Sequence, residues 1–364
     1  MSLNFYLVFL LFVLFNLVLL KKFDLLTKFI NVYDNPDFFR KRHEKSTPVV
    51  GGFVIYINLI FILLIDFFLT QFFLSNFFNI FEFFSFFLVF SFFFILGFYD
   101  DKYQLSASLK LIISTTLLFV LLILNSQLIL DNLFFTTFKL NISLTEYSLV
   151  VTVISILLFQ NSINMFDGSN LQFANFSFIC ILFFLIKSNF NPFFLLIVIP
   201  FIFYWYLNKN KYSFLGDGGA LSLSFFFSIF FIKFYQTNIV SNAEDIVVLM
   251  LVPGFDMFRL FLLRILNKKN PFSADENHVH HVLFRIFKNN GIVQLIIFFM
   301  SFFSILIYYL FDNLIYSILL LLVIFAYIVG RSLYISFNAQ DTFSRLLVGS
   351  LILSFFISFF VNIG

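Results

Sequence analysis

The sequence predicts an all-α membrane protein, a polytopic bundle of about eleven transmembrane helices, or twelve if a last apolar stretch inserts. Three observations carry that prediction. Of 364 residues, 61% are hydrophobic and 11% charged, whereas soluble domains carry roughly a quarter charged residues. Mean hydropathy is +1.02. Apolar runs near or above about eighteen residues recur along almost the whole chain, each long enough to cross the hydrocarbon core as a helix.

The first span, 3–20, does not read as a secretory signal. No basic residue precedes it, no small-residue cleavage site follows it, and Lys21 and Lys22 come after it. Basic residues after the first span put the N-terminus outside and the first loop inside. The next spans are 49–70, 82–99, 109–130, 145–160, 171–187, 192–207, 220–237, 246–265, 292–311 and 314–333, with the twelfth candidate at 343–362. Between the fourth and fifth, 131–144 alternates as a small external β-hairpin does, with apolar Phe134, Phe135, Phe138, Leu140 and Ile142. No repeat or linker divides the chain, so 1–364 reads as one membrane domain. The 67 Phe residues stand where Leu would be usual. A coding bias accounts for them, and they carry no functional weight. Cys180, the single cysteine, lies within a span and reads as a packing residue.

The net charge of +3 does not suggest a nucleic-acid partner, but its distribution is informative. Lys21, Lys22, Lys28, Arg40, Lys41, Arg42 and Lys45 crowd the first loop, and Lys268, Lys269, Arg285 and Lys288 the ninth. The opposite side has only Lys139, Lys187 and Lys233. The positive-inside rule therefore places loops 21–48, 100–108, 161–170, 208–219 and 266–291 in the cytoplasm. Every unusual polar cluster lies in or beside them. A transporter or flippase, the alternative class, would keep ionisable groups near the bilayer midplane. Here the acidic residues gather at cytoplasmic helix ends, Asp66 excepted, which favours an enzyme at the interface.

Five clusters carry the chemistry. Asp100 and Asp101 are adjacent carboxylates beside the membrane, costly unless a cation or proton is shared. With Lys110 following, they suit a phosphate nucleophile or a metal, though a solvated helix-end cap also accounts for them. Asn161, Asn164 and Asp167 recur every three residues and so share a helix face. Gly168 would end that helix and let backbone approach a ligand. Oxygen donors of this kind suit Mg²⁺, while Asp167 to Asn170 alone could be a plain turn. Gly216-Asp217-Gly218-Gly219 opens the eighth span, offering backbone N–H groups to phosphate and the Asp217 carboxylate to a metal, or only a tight turn. His278, His280 and His281 are three of the four histidines. Without a nearby cysteine their spacing matches no common zinc site, and a phosphate-facing or acid–base cluster is favoured. Finally, Asp34 to Gly52 joins Arg40 and His43 to Thr47-Pro48 and Gly51-Gly52. A basic loop touching anionic headgroups would explain the charges but not His43 or the Thr-Pro and Gly-Gly pairs.

Together, in this order from about Asp34 to His281, the clusters resemble the polyprenyl-phosphate N-acetylhexosamine-1-phosphate transferases. In that superfamily an Asp-Asp pair precedes a helix with a phosphate-binding Lys, matched by Asp100, Asp101 and Lys110. Its Asn-x-x-Asn-x-x-Asp-Gly segment is matched by Asn161, Asn164, Asp167 and Gly168, with Asn170 beyond, and its Gly-Asp-x-Gly segment by Gly216, Asp217 and Gly219. The spacing of Pro271, Phe272, Asp275, His278, His280 and His281 looks like the N-acetylglucosamine branch. Ser169 departs from the usual Ile or Leu, and Leu171-Gln172 from the usual Gly-Leu.

The resemblance implies transfer of N-acetylhexosamine-1-phosphate, N-acetylglucosamine foremost, from a UDP-sugar to polyprenyl (undecaprenyl) phosphate, releasing UMP. Another UDP-sugar, such as a modified hexosamine or UDP-MurNAc-pentapeptide, is the alternative substrate. It also implies Mg²⁺, with Mn²⁺ an alternative, held by Asp217 and Asn164. Asp100, Asp101, Asp167, His278, His280 and His281 would be catalytic. Lys110, Asn161, Asn170, Gly168, His43 and Arg40 would bind substrate. The setting is a bacterial inner membrane with the site facing the cytoplasm, and a homodimer is compatible with it. A phosphate nucleophile with a second pKa of about 6 hardly needs a base, so direct in-line displacement is expected ahead of an aspartyl-phosphate intermediate.

Overall fold

The computed structural model describes residues 3–35, 46–270 and 277–336. It is a polytopic, all-α membrane protein, with fourteen α-helices among the described residues. They form two compact units, the first running to Met257 and the second beginning at Phe258.

The first unit opens with α1 (Leu3–Lys21) and the short α2 (Phe23–Ile30), bent from it by 70°. Strands β1 (Tyr33–Asp34) and β2 (Thr47–Pro48) pair antiparallel, Tyr33 opposite Pro48. They lead into α3 (Gly51–Ile65), which continues as a π-helical turn, Asp66–Thr70. A one-turn α4 (Leu74–Phe77), α5 (Ile80–Tyr103) and α6 (Ala107–Leu124) follow. A hairpin of β3 (Asn132–Phe135) and β4 (Leu140–Ser143) precedes α7 (Ser148–Phe166), α8 (Gln172–Lys187), α9 (Pro192–Lys209), α10 (Gly216–Gln236) and α11 (Ala243–Leu266), within which the second unit begins. In the second unit α12 (Val279–Phe287) packs on α13 (Asn290–Phe311) and α14 (Leu314–Ser336).

All eleven predicted spans are helices. Nine are long and apolar enough to cross a membrane, and the bent α1–α2 pair makes a tenth. The helix at the sixth span, α8, has only 16 residues. The twelfth candidate, 343–362, lies outside the described residues. Two predicted spans end differently. The fourth stops at Leu124 because Asn125 leaves helical geometry, its side chain donating to the Leu121 carbonyl (2.9 Å) and Ser85 Oγ (2.8 Å). The second changes pitch at Asp66, whose carboxylate accepts from Thr70 and from the amides of Phe72, Phe73 and Leu74. That carboxylate is thereby satisfied away from water.

The large apolar residues Phe84, Leu88, Phe92 and Ile95 stand exposed at helical spacing along α5, as a lipid-facing stripe requires. By contrast α10 is wrapped: every residue from Gly218 to Tyr235 is buried, and α3, α5 and α7 pack around it. Phenylalanines fill this core, Phe230 lying 4.5 Å from Phe226 and 5.8 Å from Phe193 between ring centroids. They pack rather than form a functional stripe. Toward the C-terminal end of α10 lies a buried ion pair, Lys233 Nζ to Glu82 Oε2 at 3.3 Å.

At the N-terminal end of α10, glycines bring three helices into backbone contact. A Cβ on Gly52 would meet the Gly219 Cα at 2.5 Å, and one on Gly97 would strike the Asp217 carbonyl. Small residues at both crossings let α3 and α5 approach α10 this closely. The amides of Gly51 and Gly52 donate to the carbonyls of Phe214 and Leu215, each at 2.9 Å.

Candidate active site

That crossing delivers Asp100 and Asp101, at the end of α5, to the first turn of α10. The Asp101 carboxylate accepts from the amide of Asp217 at 2.8 Å and of Gly218 at 3.1 Å. It thus caps α10, whose leading amides have no partner within the helix. Gly216 makes the approach possible. Its φ is +78°, and a Cβ there would stand 2.6 Å from Asp101 Oδ2. This corrects one expectation, since two of the amides that the Gly-rich segment was to offer to phosphate are taken by Asp101.

Asp100 is buried and receives the Leu105 amide at 2.6 Å, while Lys110 Nζ, on α6, reaches its Oδ2 at 2.5 Å. The same ammonium stands 3.3 Å from Asp217 Oδ2. Ser106 caps α6 through the Leu109 amide, fixing the turn that carries Lys110. One lysine therefore bridges two carboxylates from different helices. The side chains of Lys110 and Asp217 remain 23% and 32% exposed, so the pair is open on one side.

Asn161 and Asn164 are half-buried on the last turns of α7, which packs on α10, and Asp167 is the cap residue after Phe166. Asp167 is near enough to Asp101 to feel its charge. Burial raises the Asp167 carboxyl to about 7, and the Asp101 charge adds to the rise. Gly168 is exposed and Asn170 half-buried in the following turn. Gly168 does not take the left-handed conformation that ends many helices. Leu171 does, three residues on, with φ of +70°.

In the second unit, His278 caps the start of α12, and His280 and His281 lie in its first turn. Ring centroids are 5.6 Å apart for His278 and His280, and 4.1 Å for His280 and His281. Just before them Arg259 donates to the Asn277 carbonyl at 2.5 Å. Arg40 and His43, with Pro271, Phe272 and Asp275, lie outside the described residues.

Sequence reasoning missed the residues that bind these loops together. Asn208, at the end of α9, accepts from the Leu171 amide, and Ser213 bonds both to Pro48 and to Val50. Both lie in ordinary polar stretches, and only their burial marks them.

An all-α membrane bundle thus gathers Asp100, Asp101, Asp217 and Lys110 at one helix N-terminus, with Asp167 near enough to Asp101 to feel its charge, an arrangement suited to anionic substrates. The comparisons make the class particular. Residues 83–235 match the model of glycosyl transferase family 4, so this part of the chain is similar to that family. It is 26% identical over 281 residues to a probable undecaprenyl-phosphate N-acetylglucosaminyl 1-phosphate transferase of Bacillus subtilis, covering 75% of each chain. It is 23% identical over 271 residues to the undecaprenyl-phosphate alpha-N-acetylglucosaminyl 1-phosphate transferases of Salmonella typhi and Shigella flexneri. Those alignments cover 70% and 71% of this chain and 70% of each relative.

Proposed function

We propose that this protein transfers N-acetylglucosamine-1-phosphate from UDP-N-acetylglucosamine to undecaprenyl phosphate, releasing UMP, at the cytoplasmic face of a bacterial inner membrane. The observation that carries the reading is the convergence of Asp100, Asp101 and Asp217 around Lys110 at the wrapped helix α10, with Asp167 close to Asp101. The activities for which the relatives are named support the sugar and the lipid, and the basic first and ninth loops support the cytoplasmic side.

Among the described residues, no three His, Cys, Asp or Glu side chains form a metal cage. Mg²⁺ does not need one, since it usually takes one or two carboxylates and completes its shell with water and substrate phosphate. A carboxylate cluster with one ammonium, Lys110, within it among the described residues fits such an ion, and part-exposed Asp217 would hold it, with Asn164 as the second oxygen donor. When bound, Mg²⁺ neutralises charge on the diphosphate.

The residues of the chain do the rest. Lys110 screens the two phosphates that must meet in line. Asp100, held by Lys110 and the Leu105 amide, orients the lipid phosphate, whose oxygen attacks the β-phosphorus of the UDP-sugar as UMP departs. Asp101 holds the start of α10, and so Asp217, in place. Asp167, Gly168, Asn161 and Asn170 receive the nucleotide-sugar. His278, His280 and His281 of the second unit, and Arg40 and His43 outside the described residues, enter the proposal on their chemistry alone, as cationic and proton-donating groups suited to phosphate. The test is Mg²⁺-dependent UMP release by purified protein from undecaprenyl phosphate and a panel of UDP-sugars. No UMP with any sugar overturns the reading. A phosphorylated enzyme trapped with UDP-sugar in the absence of lipid would replace direct displacement by a covalent route.

A further inference from the structure

The turn that follows Asp167 is held in an unfavourable backbone conformation by one buried side chain. Leu171 has φ of +70° and ψ of −8°. That is the left-handed region, which glycine enters freely and a leucine enters only when its surroundings demand it. The demand comes from Asn208. Its Oδ1 accepts from the Leu171 amide at 2.5 Å, and its Nδ2 donates to the Ser213 carbonyl at 3.1 Å. Asn208 is 4% exposed, so the amide and the carbonyl would have no water to replace it. Ser213 Oγ in turn donates to the Pro48 carbonyl at 2.9 Å and accepts from the Val50 amide at 2.9 Å. One carboxamide therefore ties the turn after α7 to the segment that starts α10 and, through Ser213, to the start of α3. Within the turn, Ser169 Oγ donates to Gln172 Oε1 at 2.8 Å, a bond that spans Leu171 and braces the turn on either side of it.

We propose that Asn208 is a positioning residue for the nucleotide-sugar loop: it holds Leu171 left-handed and thereby sets where Asp167, Gly168 and Asn170 stand relative to Asp217. This rests on the reading of residues 167–170 as that loop. Asn208 touches no reacting atom. Its effect falls on the UDP-sugar and not on the lipid phosphate, which Asp100 and Lys110 hold without reference to the turn.

Three enzymes decide it, the parent, Asn208→Ala, and Asn208→Ala combined with Leu171→Gly, each assayed by UMP release with both substrates varied. In Asn208→Ala the KM for UDP-N-acetylglucosamine rises about tenfold, while kcat and the KM for undecaprenyl phosphate stay within about threefold. Adding Leu171→Gly brings the UDP-sugar KM back to within about threefold of the parent, because glycine takes the left-handed conformation unaided. An unchanged UDP-sugar KM, an equal rise for both substrates, or no relief from Leu171→Gly overturns the proposal. A second measurement needs no substitution. In the parent protein the Leu171 amide, donating to a buried acceptor, exchanges with deuterium more slowly than the neighbouring Gly168 amide, and equal exchange also overturns it. If the parent releases no UMP, the functional reading fails, and slow exchange at Leu171 still reports the clamp.

Discussion

Asp101 accepts a hydrogen bond from the backbone amide of Asp217, so the carboxylate of one site residue fixes the main chain of another. Asp101→Ala leaves two amides at the start of α10 without acceptors, a loss of about 1–3 kcal/mol. Asp101→Asn keeps one acceptor oxygen. The expected outcome is a lower thermal midpoint for Asp101→Ala than for Asp101→Asn, with UMP release falling in the same order. Equal midpoints for the two variants would remove the cap from the account.

Lys110 stands between Asp100 and Asp217. Lys110→Met removes the ammonium that, among the described residues, bridges Asp100 and Asp217, and leaves the carboxylates to repel one another and the incoming phosphates. We expect kcat to fall about a hundredfold or more, as when a single transition-state charge contact is lost. Asp217→Ala is expected to abolish the response of UMP release to added Mg²⁺. Activity that still rises with Mg²⁺ in Asp217→Ala would move the metal elsewhere.

The raised Asp167 carboxyl predicts a pH limb. With a value of about 7 in the folded protein and about 3.9 in the unfolded chain, the group is neutral below 7 and ionised above. On the proposed reading its ionised form serves the UDP-sugar loop, so kcat/KM for UDP-N-acetylglucosamine at saturating lipid is expected to rise with pH through about 7 and then level. Asp167→Asn loses that limb. Linkage has the opposite sign for stability. The native state holds the proton longer, so Asp167 makes folding less favourable as pH climbs from about 4 to about 7. A midpoint scan should therefore show Asp167→Asn gaining on the parent across that interval.

The buried Glu82–Lys233 pair offers a control away from the site. Lys233→Met strands a buried carboxylate and is expected to cost about 3–5 kcal/mol. Combining it with Glu82→Gln recovers most of that, with the UDP-sugar KM unchanged throughout. The thermal midpoints of the parent and the two variants check it.

These outcomes show which features are legible from residues alone. A span announces itself by apolar length, and α5, α10 and α13 stand where that length puts them. The hairpin around Phe134 and Leu140 is legible because strand period and helix period differ. The meeting of Asp100, Lys110 and Asp217 is legible only as a set of motifs on one side of the membrane. What hides is any role that depends on close approach. Asp101 reads as one half of a carboxylate pair until Gly97 and Gly216 bring the α10 amides beneath it. Leu171 reads as a departure from a glycine-bearing motif, and its accommodation by Asn208 involves a residue 37 positions away. The α6 stop at Asn125 is hidden likewise, since the apolar residues beyond it continue the hydropathy signal.

Wrapping α10 completely has a mechanical consequence. Gly218 to Tyr235 meet no acyl chains, so changes in bilayer thickness or tension reach Asp217 only after α3, α5 and α7 have yielded. Vesicles of short and long acyl chains should then alter how readily the lipid acceptor arrives far more than they alter turnover once it is seated. The reaction centre is insulated from the very solvent that carries its substrate.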